Sequence, residues 1–172
     1  MLDAILQFLG VLLTAAKLNV AITPFSPHVS AESRVEYSLY MAFAGQEYSV
    51  DPFLVAAVMW HESDFTNVPR NHTNDYGLMQ VHWASYGPPE KWLVGLTKAD
   101  LMDPWINIRA GTHELAHLRW FCRAKGDHGH DWWGHYKYGV VVPSEDYGKK
   151  ILQRYQILLN HRPRPQRSRN SS

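Results

Sequence analysis

Two carboxylates bracket a polar loop in the stretch from Trp60 to Val81, which reads WHESDFTNVPRNHTNDYGLMQV. Glu62 stands at the end of an apolar segment, and Asp75 stands just before a Gly-Leu-Met-Gln turn. Enzymes that cleave glycosidic bonds commonly use two Asp or Glu side chains that flank the scissile bond. The pair therefore indicates glycoside chemistry.

The position of Glu62 in its segment predicts a carboxyl group that is partly removed from water. Asp51-Pro52 is a strong helix start, because an acid at the N-cap precedes a proline at the first helical position. Glu62 follows Val58 by four residues and Val55 by seven, so all three project from one face of this helix. Burial disfavours the charged form, so we expect a raised pKa for the Glu62 carboxyl. The alternative is a solvated charge at a helix end.

A competing site is the run His113-Glu114-Leu115-Ala116-His117, which matches H-E-x-x-H. On a helix, two histidines four residues apart can share a zinc ion, with the glutamate between them as general base. With ten histidines in the chain, a chance match to so short a motif is unsurprising. Trp120 follows where the extended metalloprotease pattern continues, and the glycine and histidine of that pattern are missing. We therefore predict no metal site and no cofactor, and keep a zinc metallopeptidase as the alternative from another class.

The elements that must position these residues are mostly helices. Ser30, Asp51 and Asp103 precede segments with helical periodicity, and a last amphipathic helix is predicted from about Ser144 to Asn160. Apolar residues at helical spacing predict one buried stripe on the helix that follows Asp103: Ile108, Gly111, Leu115 and Leu118. On the helix after Ser30 the predicted apolar side is Val35, Leu39, Ala42 and Phe43. Strand signals are confined to short pieces, so the fold class is mainly α, with at most a short β-hairpin or loop region.

Charge and composition exclude several classes of protein. Residues 1–160 hold thirteen Lys and Arg against sixteen Asp and Glu, because four arginines lie in the last twelve residues. The folded part is therefore not a basic nucleic-acid binder. Residues 161–172 alternate Arg with Pro, Gln and Ser and are predicted to be disordered. The single cysteine, Cys122, excludes an intrachain disulfide framework and is expected to be a buried small hydrophobe.

The N-terminal segment, residues 1–30, is apolar and then punctuated by Pro24 and Pro27. Gln7, Lys17 and Asn19 interrupt the apolar run, so we expect no integral membrane span. Two interpretations stay open, a signal peptide and a helix packed on the domain, because the apolar core is followed by small residues but is not preceded by positive charge. Residues 31–160 form the single predicted domain.

Four blocks occur in order along the chain and carry a family resemblance. They are Glu62-Ser63, Gly77-Leu78-Met79-Gln80, the segment NIRAG at 107–111, and Tyr136-Lys137-Tyr138-Gly139. This resembles the lytic transglycosylases that have the soluble-lytic-transglycosylase catalytic domain, which are similar in fold to goose-type lysozyme. The resemblance covers about residues 35–157. The fourth block departs from the family pattern A-Y-N-x-G, because His135 and Lys137 replace the alanine and the asparagine.

The resemblance implies a lysozyme-like helical domain that cleaves the β-1,4 bond between N-acetylmuramic acid and N-acetylglucosamine in peptidoglycan. It implies that Glu62 is the catalytic acid and then the base, giving 1,6-anhydro ends. It also implies that Ser63 and Tyr136 orient Glu62 and the sugar, and that the turn residues Gly77, Leu78, Met79 and Gln80 line the cleft. We expect a monomer that acts on glycan strands in the periplasm or at the cell surface.

Asp75 leaves the reaction type open. The string Asn-Asp-Tyr-Gly-Leu-Met-Gln around it also resembles the region of animal-type lysozymes that carries a second catalytic carboxylate. If Asp75 faces Glu62, a muramidase-type hydrolase becomes an alternative to the transglycosylase. If Asp75 only caps the turn, Glu62 acts alone. A non-catalytic glycan-binding relative is a third interpretation, which rests on Lys137.

Overall fold

The computed structural model describes residues 2–70, 72–83, 96–125, 132–137 and 144–163. These residues form α-helices joined by short 3-10 helices, with one small antiparallel sheet, which confirms the mainly α fold class. The elements are α1 (Leu2–Ile22), α2 (Ala31–Tyr48), α3 (Pro52–Ser63), β1 (Pro69–Arg70), β2 (Asp75–Tyr76), β3 (Val81–His82), α4 (Pro104–Ala124) and α5 (Glu145–His161), and the 3-10 helices are Thr23–Phe25, Asp100–Met102 and Trp132–His135.

The predicted helix starts are confirmed by capping hydrogen bonds. Side-chain oxygens of Ser30, Asp51, Asp103 and Ser144 accept from backbone N–H groups of the first turns of α2, α3, α4 and α5. An N-cap side chain of this kind satisfies one of the backbone donors that a helix start leaves unpaired. The predicted last helix is α5, which begins and ends one residue later than expected.

Helix α3 lies at the centre of the domain. Every side chain from Phe53 to Met59 is buried, and α3 contacts α1, α2 and α5. A helix that is apolar on all sides needs neighbours on all sides, and this arrangement supplies them. The central packing fixes the C-terminal end of α3, where Glu62 lies.

The predicted apolar side of α2 is wrong in part. Ala42 is buried and Leu39 partly so, but Val35 and Phe43 are 47% and 37% exposed. Helix α2 lies between α1 and α4, so its buried residues face two neighbours and not one side. Its buried residues are Tyr37, Ser38, Met41, Ala42, Ala44 and Gly45.

Helix α1 packs on α2 and α5, as expected for a helix that belongs to the domain. One side is buried, through Val11, Ala15, Leu18, Ala21 and Ile22. The other side exposes large apolar residues, namely Leu2, Ile5, Leu6, Phe8, Leu9, Leu12, Leu13 and Val20. By length and composition Leu2–Phe25 is apolar enough to cross a membrane, despite Gln7 and Lys17. The expectation of no integral membrane span stays a prediction.

The sheet has the order β1-β2-β3 with antiparallel pairing. Asp75 on β2 lies between Arg70 on β1 and His82 on β3, and the Gly-Leu-Met-Gln turn joins β2 to β3. The predicted loop after α3 is therefore a compact three-stranded sheet that brings three ionisable side chains together.

Candidate active site

A polar cavity of about 570 Å³ opens beside the C-terminal end of α3. Its walls come from α3, the sheet, α4 and the segment after Trp132–His135. The lining residues are Glu62, Arg70, His72, Thr73, Asp75, Gln80, His82, Glu114, Tyr136 and Lys137. The two carboxylates that the sequence singled out, Glu62 and Asp75, therefore face one cleft.

The Glu62 carboxylate is held by a tyrosine that the sequence analysis missed. The Tyr147 hydroxyl donates a hydrogen bond of 2.6 Å to Glu62 Oε1, and Tyr147 is only 2% exposed. Burial raises the pKa of the Glu62 carboxyl and Asp75 adds to the increase, while the Tyr147 hydrogen bond, Arg70 and Lys137 oppose it. The raised pKa agrees with the prediction and has the predicted cause.

Tyr147 is buried against an aromatic neighbour. The His61 ring packs edge-on against the Tyr147 ring, with 4.9 Å between centroids. Burial, together with nearby Arg154 and Lys150, lowers the pKa of His61 to about 4, so its imidazole is neutral at physiological pH. The ring that packs on Tyr147 therefore adds no positive charge beside it.

The turn from Gly77 to Gln80 is mainly a structural element, contrary to the expectation that all four residues line the cleft. Leu78 and Met79 are fully buried, and of the four only Gln80 borders the cavity. Gln80 has φ of 48° and its side chain donates to the carbonyls of Val68 and Gly77 at 2.8 and 2.7 Å. The turn is thus locked to the sheet by its own last residue.

Ser63 and Tyr136, which we expected to orient Glu62 and the sugar, hold this turn by hydrogen bonds. The Ser63 hydroxyl donates to the backbone oxygens of Met59 and Leu78, at 3.1 and 2.5 Å. The Tyr136 hydroxyl donates to the backbone oxygen of Met79 at 3.0 Å. Tyr136 also borders the cleft, but in the structure the hydroxyl bonded to Glu62 is that of Tyr147.

Asn107 completes the support of the turn, and it is fully buried. Its Oδ1 accepts from the Met79 N–H at 2.7 Å, and its Nδ2 donates to the carbonyls of Tyr76 and Leu101 at 2.7 and 2.8 Å. Gly111, one turn further along α4, leaves room for the turn: a Cβ there would lie 2.7 Å from Met79 Sδ. The missing side chain of Gly111 thus leaves space for Met79 and for the Tyr136 hydroxyl.

Asp75 does more than cap a turn. Its Oδ1 lies 2.8 Å from Nδ1 of His82, directly across the β2–β3 pairing. The side chains of Asp75 and His82 are 24% and 44% exposed, and both border the cavity. His82 follows the Gly-Leu-Met-Gln block immediately, but only the strand register shows that it pairs with Asp75.

The H-E-x-x-H residues contact different neighbours. The His113 ring packs edge-on against Tyr48, and the His117 ring lies against Trp120. Only Glu114 of the motif borders the cleft. Within the described part of the chain, no three His, Cys, Asp or Glu side chains are grouped to hold a metal ion.

Other residues singled out in the sequence have mixed outcomes. Cys122 is buried, as predicted, and the predicted stripe on α4 is buried. Lys137 is exposed on the cleft wall. Tyr138 and Gly139 of the fourth block, and most of the basic tail, lie outside the described residues.

Comparison with known proteins identifies the family. A family model described as the transglycosylase SLT domain matches residues 39–134. A protein of Actinobacillus succinogenes named membrane-bound lytic murein transglycosylase C is 33% identical over 104 residues, which is 58% of this chain and 29% of that protein. A protein of the same name from Sodalis glossinidius is 38% identical over 80 residues, 44% of this chain and 22% of that protein. The chain thus spans less than a third of the length of these relatives. No solved structure matches it significantly.

Proposed function

Because the chain belongs to the transglycosylase SLT domain family, we propose that it is a peptidoglycan-cleaving lytic transglycosylase in which Glu62 is the catalytic acid and base. The proposed bond is the β-1,4 linkage between N-acetylmuramic acid and N-acetylglucosamine, and the proposed product carries a 1,6-anhydro-muramic end. The relatives named lytic murein transglycosylase support the substrate class.

The observation that carries the proposal is the state of Glu62. Its carboxyl borders a sugar-sized cleft, its pKa is raised by burial, and a buried tyrosine hydroxyl fixes one of its oxygens. A general acid must hold its proton at the working pH and must be kept in one orientation. Desolvation raises the pKa of Glu62, which favours the first property, and the Tyr147 hydrogen bond provides the second.

In the proposed reaction Glu62 first protonates the glycosidic oxygen, and the bond from this oxygen to C1 of the muramyl unit breaks. The bonding electrons leave with the N-acetylglucosamine oxygen. Glu62, now a carboxylate, accepts the proton of the muramyl 6-hydroxyl, whose oxygen bonds to C1. The proton returns to Glu62 and no water is consumed, so one acidic residue suffices. Arg70 and Lys137 favour the carboxylate state, which the second half of the cycle needs.

The hydrolase alternative, in which Asp75 is a second catalytic carboxylate, has one observation in its favour. Asp75 borders the same cleft as Glu62 and raises the pKa of Glu62 through its charge. However, its Oδ1 bonds His82, which orients Asp75 toward the histidine. Asp75 as a direct nucleophile is therefore the weaker of the two candidates.

We place the site of action at the periplasm or the cell surface, where glycan strands lie. The exposed apolar side of α1 supports attachment to the membrane, because lipid-facing surfaces are the common location of such continuous apolar area. The relatives are named membrane-bound proteins. We retain the proposal that the chain acts as a monomer.

Glu62→Gln tests the proposed acid. The substitution keeps the size and hydrogen bonding of the side chain but removes the acidic proton of the carboxyl group. We therefore expect release of soluble muropeptides from purified sacculi to fall by a factor of roughly 10² to 10⁴. Binding to sacculi should persist. Glu145→Gln is the matched control, because Glu145 is 85% exposed on α5 and forms an ion pair with Lys149. Retention of a tenth or more of the activity by Glu62→Gln would reject Glu62 as the acid.

A further inference from the structure

Asp75 and His82 form a hydrogen-bonded pair on the wall of the cleft. They are opposed residues of adjacent strands, and the turn that joins these strands is held by Ser63, Asn107 and Tyr136. The 2.8 Å contact between Nδ1 and Oδ1 therefore rests on a rigid support. Rigid positioning of this kind distinguishes a functional pair from two mobile surface side chains.

The contact fixes which nitrogen of His82 is available to a ligand. A carboxylate oxygen only accepts hydrogen bonds, so Nδ1 of His82 must carry the proton that it donates to Asp75. In the neutral imidazole, Nε2 then has its lone pair free and is a proton acceptor. The ring is 44% exposed and borders the cavity, so a molecule in the cleft can reach it.

We propose that the Asp75–His82 pair is a general base that activates water in the cleft, and that the enzyme therefore also hydrolyses the glycan. The inference rests on the proposed function, because it uses the same substrate and the same acid, Glu62. It adds a second outcome to the reaction: some cleavage events end in a reducing muramic acid instead of the anhydro sugar.

The hydrolytic step is balanced as follows. Glu62 gives its proton to the glycosidic oxygen, and the bond from that oxygen to C1 breaks with its electrons. A water oxygen bonds to C1, and its proton passes to Nε2 of His82. Asp75 stabilises the resulting imidazolium, as a carboxylate does for a histidine base in other hydrolases. The imidazolium releases its proton to solvent and Glu62 takes one up, so one water is consumed for each bond cleaved.

The chain contains a second histidine–aspartate pair that serves as a comparison. His28 Nε2 lies 3.8 Å from the Asp64 carboxylate and 2.7 Å from the Asp64 backbone oxygen. Neither residue borders the cleft, and the Asp64 side chain is 63% exposed. This pair consists of the same two residue types but lies outside the cleft.

The test is digestion of purified sacculi by the full chain in ¹⁸O-water, followed by mass spectrometry of the muropeptides. Hydrolysis places ¹⁸O at the new reducing end, whereas transglycosylation gives anhydro ends that lack one water and carry no label. The measured quantity is the ratio of labelled reducing ends to anhydro ends. The variants are His82→Ala and Asp75→Asn, with His28→Ala as the matched control.

We expect labelled reducing ends from the unaltered protein, and a fall of at least tenfold in the ratio for His82→Ala and Asp75→Asn while anhydro ends continue to form. His28→Ala should leave the ratio unchanged. Since the readout is a ratio of two products of one enzyme, a general loss of stability does not alter it. If a variant forms no product, His82→Gln is used in its place.

Two results would overturn the inference and leave the proposed function intact. One is the formation of anhydro ends without labelled ends by the unaltered protein, and the other is an unchanged ratio in His82→Ala and Asp75→Asn. The proposed function itself fails on a different result, namely cleavage that survives Glu62→Gln. The two failures are therefore distinguishable.

Discussion

Asn107→Ala should destabilise the protein more than a typical substitution of a polar residue. Asn107 makes hydrogen bonds to the Met79 N–H and to the carbonyls of Tyr76 and Leu101, all of 2.7 or 2.8 Å, and is fully buried. A buried donor left without an acceptor costs about 1–3 kcal/mol, and each of the two lost donated bonds costs about 0.5–1.5 kcal/mol. We therefore expect a loss of about 2–6 kcal/mol, a large part of the roughly 5–15 kcal/mol by which domains are stable.

The assay is equilibrium unfolding in urea, with the free energy of unfolding obtained by linear extrapolation. Asn67→Ala is the matched control, because the Asn67 side chain donates one hydrogen bond of 2.7 Å, to the Met102 carbonyl, from a partly buried position. Loss of that single bond should cost about 0.5–1.5 kcal/mol. If Asn107→Ala costs no more than Asn67→Ala, the turn is not supported in the way the structure indicates.

Two further predictions concern Glu62 and Gly111. Activity that requires protonated Glu62 declines as the pH rises through the pKa of Glu62. The Tyr147 hydrogen bond lowers this pKa. Tyr147→Phe should therefore move the decline in kcat/KM to higher pH. The control is Tyr155→Phe, on the same helix as Tyr147, which removes a hydrogen bond from the tyrosine hydroxyl to Asp51. It should leave the pH of the decline unchanged. Equal pH profiles for both variants would contradict the role of Tyr147. Gly111→Ala should lower the unfolding free energy by about 1–3 kcal/mol, because its Cβ would lie 2.7 Å from Met79 Sδ. Gly10→Ala, with no atom within 4 Å of its Cβ, should instead raise it by up to about 1 kcal/mol, and stabilisation by both would refute the close packing.

The helices could be predicted because their signals are local. An N-cap side chain and a proline act within one turn, so Asp51 and Asp103 indicated their helix starts directly. The buried side of α2 could not be found in this way, because it depends on α1 and α4, which cover two sides of the helix. Val35 and Phe43 are apolar, yet the geometry of those neighbours leaves them exposed.

The candidate site could be located from the sequence, but the roles of its residues could not be assigned. Glu62 was found because it combines a carboxylate with an apolar helix face. Tyr147 was missed because it follows Glu62 by 85 residues and looks like any other inward-facing residue of an amphipathic helix. The pairing of Asp75 with His82 depends on the register of β2 and β3. Only six residues separate the two side chains, and so short a segment shows no periodicity from which a register can be predicted.

The residues of the sequence motif and the residues that touch Glu62 have different tasks. Ser63, Asn107, Gly111 and Tyr136 converge on one turn, through hydrogen bonds to its backbone or through space left for Met79. Their geometric demands are strict, because a buried polar group must find its partner and a Cβ cannot overlap a neighbouring atom. These motif residues therefore support the Gly-Leu-Met-Gln turn.

The groups that face the Glu62 carboxyl and the cleft lie outside this buried turn. Tyr147 donates a hydrogen bond to Glu62, Lys137 adds a positive charge on the cleft wall, and His82 bonds Asp75. Under the two proposals above, Glu62 alone gives anhydro sugar, and the Asp75–His82 pair adds hydrolysed product. The ratio measured in ¹⁸O-water therefore connects the hydrogen bond between Asp75 and His82 to the outcome of the reaction.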